Sequence, residues 1–589
     1  MKRSEMDPKF QWDFTHIFPD HAHWEAALEE AAKAIDTLSS LPGTLCASKE
    51  GLKHGLEAIT AVDEKLNLPF IYAMLHQSAD GSNPDYQEMQ ARCMQLAVKA
   101  GAMTSFAEPE ILSIPEETLR QWMADEDLAV YRHNLEDIAR GRAHILSAEQ
   151  EKMLAMMGDA AGTPSNAYRA LTNVNMELPK VHDEEGKEVQ LTAGNFGVFR
   201  ESRSRAVREE AFKAMFGTYK KYEDTMAALY GGQVKMDDFR SKVRGYASAL
   251  EMALSGGNVP VSVYDSLIEA VHGSLPAMKK YLKLRQKALK LDTLDVFDLY
   301  VPIVEDVDYP MPFENVKDLV KKATEPLGEE YQKLLDRAFA ENWMDVYENQ
   351  GKRSGAFSCG VYGVHPYVLL NYTDTLDDAF TVAHELGHAM HSYFSDKTQP
   401  YATHGYKILV AEVASTVNEV LLTMYLLKTE TDKKRRAYIL NHFLEGFRTT
   451  LFRQTLFAEF ERKAHEMYAA GIPLTAKALN KTYHDLVALY YEGAETGNVI
   501  DSEWSYIPHF YTPFYVYQYA TGYSSAVAIA RRILETGDAS DYLRFLTTGG
   551  SDYPLNELKI AGVDLTSPET VKSALEVFAN TIDELDALL

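Results

Sequence analysis

One pentapeptide, His384-Glu-Leu-Gly-His388, constrains the fold more than any other part of this sequence. Residues four apart on an α-helix lie one turn apart on the same face, so both imidazoles can reach one metal ion while Glu385 lies beside them. Two imidazoles and a carboxylate in this spacing are typical of a zinc site in which the glutamate moves protons. The pentapeptide therefore predicts a helix and a metal site together.

The residues before the pentapeptide also favour a helix. Thr375 and Asp378 have the spacing of a capping box, and Asp377 adds negative charge to the first turn. We therefore expect a helix over about residues 376–393.

Two further residues of this segment are informative. His391 follows His384 by two helical turns, where it could support the metal ligands from outside. Gly387 destabilises a helix relative to alanine, which indicates that another segment approaches the backbone closely there. A core helix with hydrogen-bonded histidines is the alternative interpretation.

A zinc ion held by two histidines needs a third protein ligand, with the fourth position left to water. Glu412 is the candidate, because it lies 24 residues after His388 in an aliphatic helical run where an unpaired carboxylate would be costly to bury. Glu419 lies two turns further along the same face and could accept a hydrogen bond from a ligand histidine. An ordinary salt bridge is the alternative role for Glu419.

The rest of the chain has the pattern of long packed helices. Apolar residues at three and four spacing, with charged faces between them, run over residues 24–38, 51–107, 116–157 and 201–252. A break in this pattern at residues 176–191 predicts a hairpin of two short strands around Gly186. We therefore expect an N-terminal helical region over residues 1–200 and a catalytic region over residues 201–589.

Composition limits the compartment and the partners. The first residues contain no apolar signal segment, and Cys46, Cys93 and Cys359 have neither metal-binding nor redox spacing. These features predict a soluble cytoplasmic protein with reduced thiols. A net charge of -27 at pH 7 argues against nucleic acid or an anionic membrane as a partner.

The stretch over residues 351–371 is rich in glycine and then in β-branched and aromatic residues. It predicts a loop containing Gly355, Gly360 and Gly363, followed by a strand beside the metal site. The free edge of such a strand can bind an extended peptide through main-chain hydrogen bonds, which makes these glycines candidate substrate-binding residues. A short structural hairpin is the alternative.

A third unusual stretch covers residues 507–523. Tyr515, Tyr519 and Tyr523 recur every four residues and would share one face of a helix, with Pro513 in its first turn. A stripe of aromatic residues usually belongs to a core. A peptide-cleaving site nevertheless needs a hydrogen-bond donor for the oxyanion, and this stripe is a candidate source of that donor.

These motifs, in this order, resemble those of oligoendopeptidase F, within the thimet oligopeptidase family of zinc metallopeptidases. The likeness extends from about residue 201 to the last residue, and the N-terminal helical region is also similar. The resemblance implies a mainly α fold, with a large helical body divided by a deep substrate channel and a small β-sheet beside the HExxH helix. It also implies one Zn²⁺ per chain and short unstructured peptides as substrates.

Carried over by position, the resemblance identifies His384, His388 and Glu412 as zinc ligands and Glu385 as the general base toward zinc-bound water. The sequence thus predicts a cytoplasmic zinc endopeptidase that hydrolyses internal bonds of short peptides. A zinc carboxypeptidase or dipeptidyl carboxypeptidase on a similar fold is one alternative, and it would need a cationic residue for the terminal carboxylate of the substrate. A peptide-binding relative without activity is the other, and the intact Glu385 argues against it.

The resemblance also assigns residues near the C-terminus. His509 and Tyr515 look like the substrate and transition-state contacts of the family, and Tyr519 is similar to a further family tyrosine. Where several relatives carry a third tyrosine, this chain has Gly522 followed by Tyr523. Tyr523 is therefore included among the candidate substrate-binding residues.

Overall fold

The computed structural model describes residues 1–304, 307 and 309–589, with the backbone alone at Ala148 and Asp159. In the first part of the chain the helices are α1 (His21–Thr37), α2 (Lys49–Ala79), α3 (Pro84–Thr104), α4 (Ala107–Ser113), α5 (Glu116–Met123), α6 (Arg132–Gly141), α7 (Ala148–Ala161) and α8 (Thr163–Ala170). The middle part contains β1 (Lys180–His182), β2 (Glu188–Gln190), α9 (Phe196–Glu201), α10 (Arg205–Lys221), α11 (Glu223–Val243), α12 (Ala249–Ser255), α13 (Val261–Gly273) and α14 (Leu275–Ala288).

The remaining elements include a second small sheet. They are α15 (Phe313–Ala323), α16 (Glu329–Ala340), β3 (Met344–Asp345), β4 (Phe357–Cys359), β5 (Tyr367–Leu369), α17 (Leu376–Thr398), α18 (Ile408–Thr429), α19 (Lys433–Gly446), α20 (Arg453–Ala469), α21 (Ala476–Tyr490), α22 (Tyr517–Thr536), α23 (Ser540–Leu546), α24 (Pro554–Ile560) and α25 (Glu569–Asp586). The predicted mainly α fold with a small sheet is confirmed. An antiparallel pair, β1 with β2, also lies where the sequence predicts a hairpin.

Two compact units divide the chain, and each is assembled from three separate stretches. Unit 1 contains Met1–Ala143, Tyr309–Tyr425 and Ile529–Val563. Unit 2 contains His144–Asp308, Leu426–Ala528 and Asp564–Leu589. The functional division of the chain near residue 200 stays a prediction.

The sheet of unit 1 has the strand order β3-β5-β4, with β5 parallel to β3 and antiparallel to β4. All three residues of β5 are buried. The indole of Trp12 donates hydrogen bonds to the carbonyls of Trp343 (3.1 Å) and Val368 (2.9 Å). The beginning of the chain is thereby attached to the sheet.

Helix α18 is apolar along most of its length. By length and composition alone it could cross a membrane, but 67% of its apolar 18-residue stretch is buried inside the protein. An apolar helix that is buried in this way has the character of a core helix.

In unit 2 a buried carboxylate joins separate elements. Asp298 is fully buried and accepts hydrogen bonds from Arg208 Nη2 (2.6 Å) and Arg205 Nη2 (2.9 Å) at the start of α10. Two guanidinium groups compensate the buried charge, which attaches α10 to the turn Val296–Asp298.

Candidate metal centre and active site

The helix that carries the pentapeptide begins at a capping box. The amide of Asp378 donates to Thr375 Oγ1 (3.1 Å), and the amide of Thr375 donates to the Asp378 carboxylate (3.1 Å). These bonds satisfy amides that an uncapped helix start would leave without partners. Helix α17 therefore begins at Leu376 as predicted, although it continues to Thr398, five residues beyond the predicted end at residue 393.

Three side chains from α17 and α18 bring their ligand atoms together. His384 Nε2 lies 3.2 Å from His388 Nε2, and Glu412 Oε2 lies 3.5 Å and 3.6 Å from these two nitrogens. Zinc bonds of about 2.0–2.1 Å at tetrahedral angles place ligand atoms about 3.3–3.4 Å apart. The donors, two imidazoles and a carboxylate, and their separations therefore both fit a zinc ion.

Close packing of α17 on α18 makes this geometry possible. A Cβ atom on Gly387 would come within 2.5 Å of the Ala414 carbonyl oxygen and 2.6 Å of the Ser415 Cα. The close approach that the sequence predicts at Gly387 is thus made by the backbone of the helix that carries Glu412. Without a side chain at this position, the two helices can approach closely enough for their donor groups to meet.

A buried amide joins the same two helices. Asn418 donates to the Ala383 carbonyl (3.0 Å) and accepts from the hydroxyl of Tyr331 (2.9 Å) on α16. Sequence reasoning missed both residues. The available signal was a polar amide inside an aliphatic helical run, where a buried amide needs partners.

Glu419 and His391 have different surroundings from each other. Glu419 Oε1 contacts Nδ1 of His384, which orients the imidazole so that Nε2 faces His388 and Glu412. His391 instead stacks on Tyr406, with ring centroids 3.8 Å apart, and neither of its ring nitrogens has a hydrogen-bond partner among the described residues. The predicted supporting role of His391 is therefore not realised through hydrogen bonds, because the ring is fully buried in an aromatic contact.

Glu385 lies between the two histidines and is 7% exposed. Its Oε2 atom is buried and has no hydrogen-bond partner among the residues that the structure describes. Burial raises the pKa of this carboxyl above its ordinary value, against the opposing effect of the neighbouring histidines. The carboxyl group is thus available to accept a proton beside the metal ligands.

The glycine-rich segment differs from its predicted form. The residues between Gly355 and Gly360 are themselves a strand, β4, and this strand is at the edge of the sheet. The strand predicted after the glycines, β5, is central and has no free edge, because β3 pairs with its other side. The sequence could not show this, because β3 lies earlier in the chain.

The glycines of this segment have distinct surroundings. A Cβ atom on Gly360 would lie 2.8 Å from the Cβ of Ser392, so the backbone there packs directly on α17. Gly355 and Gly363 have positive φ angles of 82° and 80°, which glycine adopts readily. Gly355 also lines a cavity that includes Thr381, one turn before His384.

His509, Tyr515 and Tyr519 belong to unit 2, where their rings form a cluster. The ring centroids are 6.0 Å apart for both pairs that include His509 and 5.5 Å apart for the tyrosine pair. Burial lowers the pKa of His509, which favours its neutral form. The cluster combines an imidazole with two phenol rings, all of which retain some exposure to solvent.

The predicted tyrosine helix begins later than expected. Helix α22 starts at Tyr517, so Tyr515 precedes it. Phe514 has a positive φ angle of 54°, and this conformation prevents a helix from continuing through it from Pro513. Tyr523 is on α22 but is buried against Phe447, with ring centroids 5.0 Å apart. These surroundings do not support the prediction that Tyr523 contacts substrate.

Comparison with known proteins identifies the family. A model of peptidase family M3 matches residues 198–577, and a model of oligopeptidase F matches residues 110–177. The chain belongs to peptidase family M3. It is 43% identical to oligopeptidase PepF of Bacillus subtilis (strain 168), with 100% of this chain and 88% of that protein covered.

Further relatives give the same result. The chain is 40% identical to an oligoendopeptidase F homologue of Lactococcus lactis subsp. lactis, with 100% of this chain and 98% of that protein covered. A crystal structure of oligoendopeptidase-F from Enterococcus faecium is 36% identical, covers 96% of this chain and 98% of its own, and has a TM-score of 0.75. The predicted resemblance is confirmed, and this member of family M3 is a peptidase.

Proposed function

We propose that this M3 peptidase is a zinc-dependent endopeptidase that hydrolyses internal bonds of short unstructured peptides in the cytoplasm. The observation that carries the proposal is the convergence of His384, His388 and Glu412, whose ligand atoms lie within 4.8 Å of one another. The unpartnered carboxyl oxygen of Glu385 lies beside them on the same helix. The names of its relatives, oligopeptidase and oligoendopeptidase, support short peptides and internal bonds as the substrate class.

The three ligand residues would hold one zinc ion, with Glu419 fixing the orientation of His384. Zinc supplies Lewis-acid chemistry, which acidifies water and polarises a carbonyl group. Two imidazoles and one carboxylate would leave one position of a tetrahedral site open, as catalytic zinc sites require.

Glu385 acts as the general base in this proposal. Its Oε2 takes a proton from the water that attacks the scissile carbonyl and later delivers that proton to the leaving amine nitrogen. Burial supports this role, because a raised pKa makes the carboxylate a stronger base than an exposed glutamate.

The resemblance to the family supplies the remaining roles. We propose that Tyr515 or Tyr519 donates a hydrogen bond to the oxyanion and that His509 contacts the substrate. Support within unit 2 comes from their ring cluster, in which two phenol hydroxyls are combined with an imidazole whose pKa is lowered by partial desolvation.

We propose β4 as the substrate-binding strand, because an edge strand can accept an extended peptide through main-chain hydrogen bonds. Gly355 and Gly363 provide the turns on either side of it, and Gly360 lets the segment pack on α17. These positions make the glycines part of the substrate-binding segment without requiring side-chain contacts.

A single assay tests the proposed activity. Internally quenched peptides of about ten residues are incubated with the protein, with and without a zinc chelator, and the products are identified by mass. We expect internal cuts that chelation abolishes and added zinc restores. Removal of residues from the C-terminus alone would favour a carboxypeptidase, and no cleavage with zinc present would favour a peptide-binding relative.

A further inference from the structure

Unit 2 contains a small cavity with an unusual lining. Its volume of about 20 Å³ is enough for one water-sized particle. The polar residues that line it are Arg200, Tyr300, Arg453, Tyr491 and Glu503, and apolar side chains such as Phe212 complete the wall. None of these residues has a role in the proposed peptidase mechanism.

Several hydrogen-bond donors at this cavity have no acceptor. The hydroxyls of Tyr300 and Tyr491 are buried and have no hydrogen-bond partner among the described residues. Arg448 does not line the cavity, but its Nη1 also has no partner among the described residues, and its guanidinium lies 4.4 Å from the centre of the Tyr300 ring. Buried donors of this kind are costly unless something accepts their hydrogen bonds.

Among the residues that the structure describes, positive charge exceeds negative charge around the same place. Arg448 and Arg285 share the carboxylate of Glu445, at 2.6 Å and 2.9 Å. Arg453 pairs with Glu503 at 2.6 Å. In this described cluster, the guanidinium groups of Arg285, Arg448 and Arg453 outnumber the carboxylates of Glu445 and Glu503.

Arg200 adds a further positive charge. Its guanidinium lies 3.8 Å from the centre of the Tyr300 ring, and no carboxylate among the described residues pairs with it. Burial acts to raise the pKa of Tyr300, but the neighbouring guanidinium groups, with Arg453 contributing most, lower it below its ordinary value. These guanidinium groups therefore favour negative charge close to this phenol.

The backbone that presents two of these arginines is also irregular. A π-helical segment, Phe447–Phe452, connects α19 to α20 and contains Arg448, and Arg453 follows it directly. Such segments lie frequently at functional sites, because they change the directions of the side chains that follow.

We propose that this cavity binds a small monovalent anion of the halide class, with chloride as the physiological ion. A halide accepts hydrogen bonds from several donors at once and compensates the excess positive charge, whereas a water molecule compensates no charge. Sulfate and carboxylates are larger than a single halide ion, so a space this small favours the monatomic anion. The ion would stabilise the folded state of unit 2, because it binds there and not to the unfolded chain.

Thermal unfolding of the full chain tests the proposal. The melting temperature is measured in sodium chloride, sodium bromide and sodium gluconate at matched ionic strength. We expect the halides to raise it saturably by about 2 °C or more relative to gluconate, since only the small ions enter the site. Equal melting temperatures in all three salts would overturn the proposal.

Two variants and a matched control locate the effect. Tyr300→Phe and Tyr491→Phe each remove one donor and are expected to lose at least half of the halide-dependent increase. Tyr230→Phe is the control, because its hydroxyl is also buried without a partner among the described residues of unit 2, but burial and the carboxyl groups of Glu461 and Asp237 raise its pKa instead of guanidinium groups lowering it. An unchanged increase in both test variants would contradict the assignment.

Anomalous X-ray diffraction from wild-type crystals that contain bromide tests the proposal without depending on whether the variants fold. Crystals grown in sodium bromide are expected to show an anomalous difference peak between the Tyr300 and Tyr491 hydroxyls. Density without anomalous signal at that position means that the cavity holds only water, and the proposal is then wrong.

Discussion

The carboxyl groups of Glu385 and Glu412 differ in their surroundings, although both lie beside the same two histidines. The imidazole of His388, 3.6 Å from Glu412 Oε2, contributes most to lowering the pKa of Glu412, which favours the anion that a metal ligand must be. Burial raises the pKa of Glu385, which favours proton uptake. Opposite environments therefore suit the two carboxyl groups to opposite roles, one as ligand and one as base.

Replacing Glu385 with glutamine tests the role of the base. Glu385→Gln keeps the shape of the side chain and all three ligands, so zinc content and melting temperature should stay at wild-type values. We expect kcat for a quenched peptide to fall about 10²- to 10⁴-fold, because general-base catalysis is removed. A variant that retained more than about a tenth of the wild-type rate would require another base.

Replacing each carboxylate of α18 in turn distinguishes the proposed metal ligand, Glu412, from the residue that orients a ligand, Glu419. Glu412→Ala should lower zinc content and activity together, with partial recovery of activity at high added zinc. Glu419→Gln leaves the ligand set intact and should weaken zinc affinity by about 10- to 100-fold, because only the contact with His384 changes. Normal zinc content in purified Glu412→Ala would exclude Glu412 as a ligand.

Replacing individual tyrosines with phenylalanine distinguishes a catalytic hydroxyl from a ring that only packs. If Tyr515 or Tyr519 donates to the oxyanion, Tyr515→Phe or Tyr519→Phe should lower kcat about 10²- to 10³-fold with little change in KM. Tyr523→Phe is the control, since this buried ring packs on Phe447, and it should change stability by about 1 kcal/mol and leave kcat within a few-fold. Wild-type turnover in both test variants would leave the cluster without a catalytic role.

Single residues were predictable where the chemistry is local. His384 and His388 meet because of helix geometry, and Glu412 was found because an aliphatic helix would not otherwise contain a carboxylate. Tyr515 was misplaced because the positive φ angle at Phe514 depends on the surrounding structure and has no signal in residue spacing. The aromatic contact that buries His391 likewise comes from Tyr406, outside its helix.

At the scale of elements, the candidate metal centre depends on how closely α17 and α18 approach. Gly387 allows the backbones to touch, and Asn418 joins them through the Ala383 carbonyl. The distances between the ligand atoms therefore depend on a contact that contains no ligand.

Gly387→Ala tests this dependence. The added Cβ would overlap Ala414 and Ser415, so the helices must separate, and we expect a loss of about 1–3 kcal/mol of stability together with weaker zinc binding. Gly101→Ala in α3 is the matched control, because its Cβ would meet nothing within 4 Å and should stabilise the helix by about 0.5–1 kcal/mol. Unchanged zinc affinity in Gly387→Ala would show that the helix contact does not set the ligand geometry.

Elements were predictable to the extent that their signals are periodic. The capping box fixed the start of α17, while its later end depends on packing. The break between α2 and α3 does have a local signal, because Asn83 caps α3 and Pro84 is its first residue. The order of strands in the sheet could not be read from the sequence. Strand β5 pairs with β4, which directly precedes it in the chain, and also with β3, which lies further away in the chain.

At the scale of the whole molecule, each unit combines segments that are distant in the chain. Unit 1 joins Met1–Ala143 with Tyr309–Tyr425 and Ile529–Val563, so its core requires contacts across hundreds of residues. Helical periodicity identifies helices but carries no information about such partners. Resemblance to a family supplied the fold class that periodicity alone left open.

Stability of the whole molecule should depend on one buried carboxyl. Glu557 on α24 is fully buried, and both of its oxygens lack hydrogen-bond partners among the described residues. Burial raises the pKa of Glu557 from 4.5 to about 8. Between these values the folded chain binds a proton that the unfolded chain has released, so stability falls as pH rises through this window.

Glu557→Gln removes this dependence, because the amide stays neutral at every pH. We expect the variant to be more stable than wild type at pH 8, by on the order of 1–4 kcal/mol, and similar to it near pH 5. Melting temperatures of both proteins, measured from pH 5 to pH 8.5, provide the test, with the exposed Glu126→Gln as a control for the loss of one carboxyl. If the Glu557→Gln and wild-type curves run parallel across this range, Glu557 is ionised in the folded protein, and a cation must then reach its carboxylate.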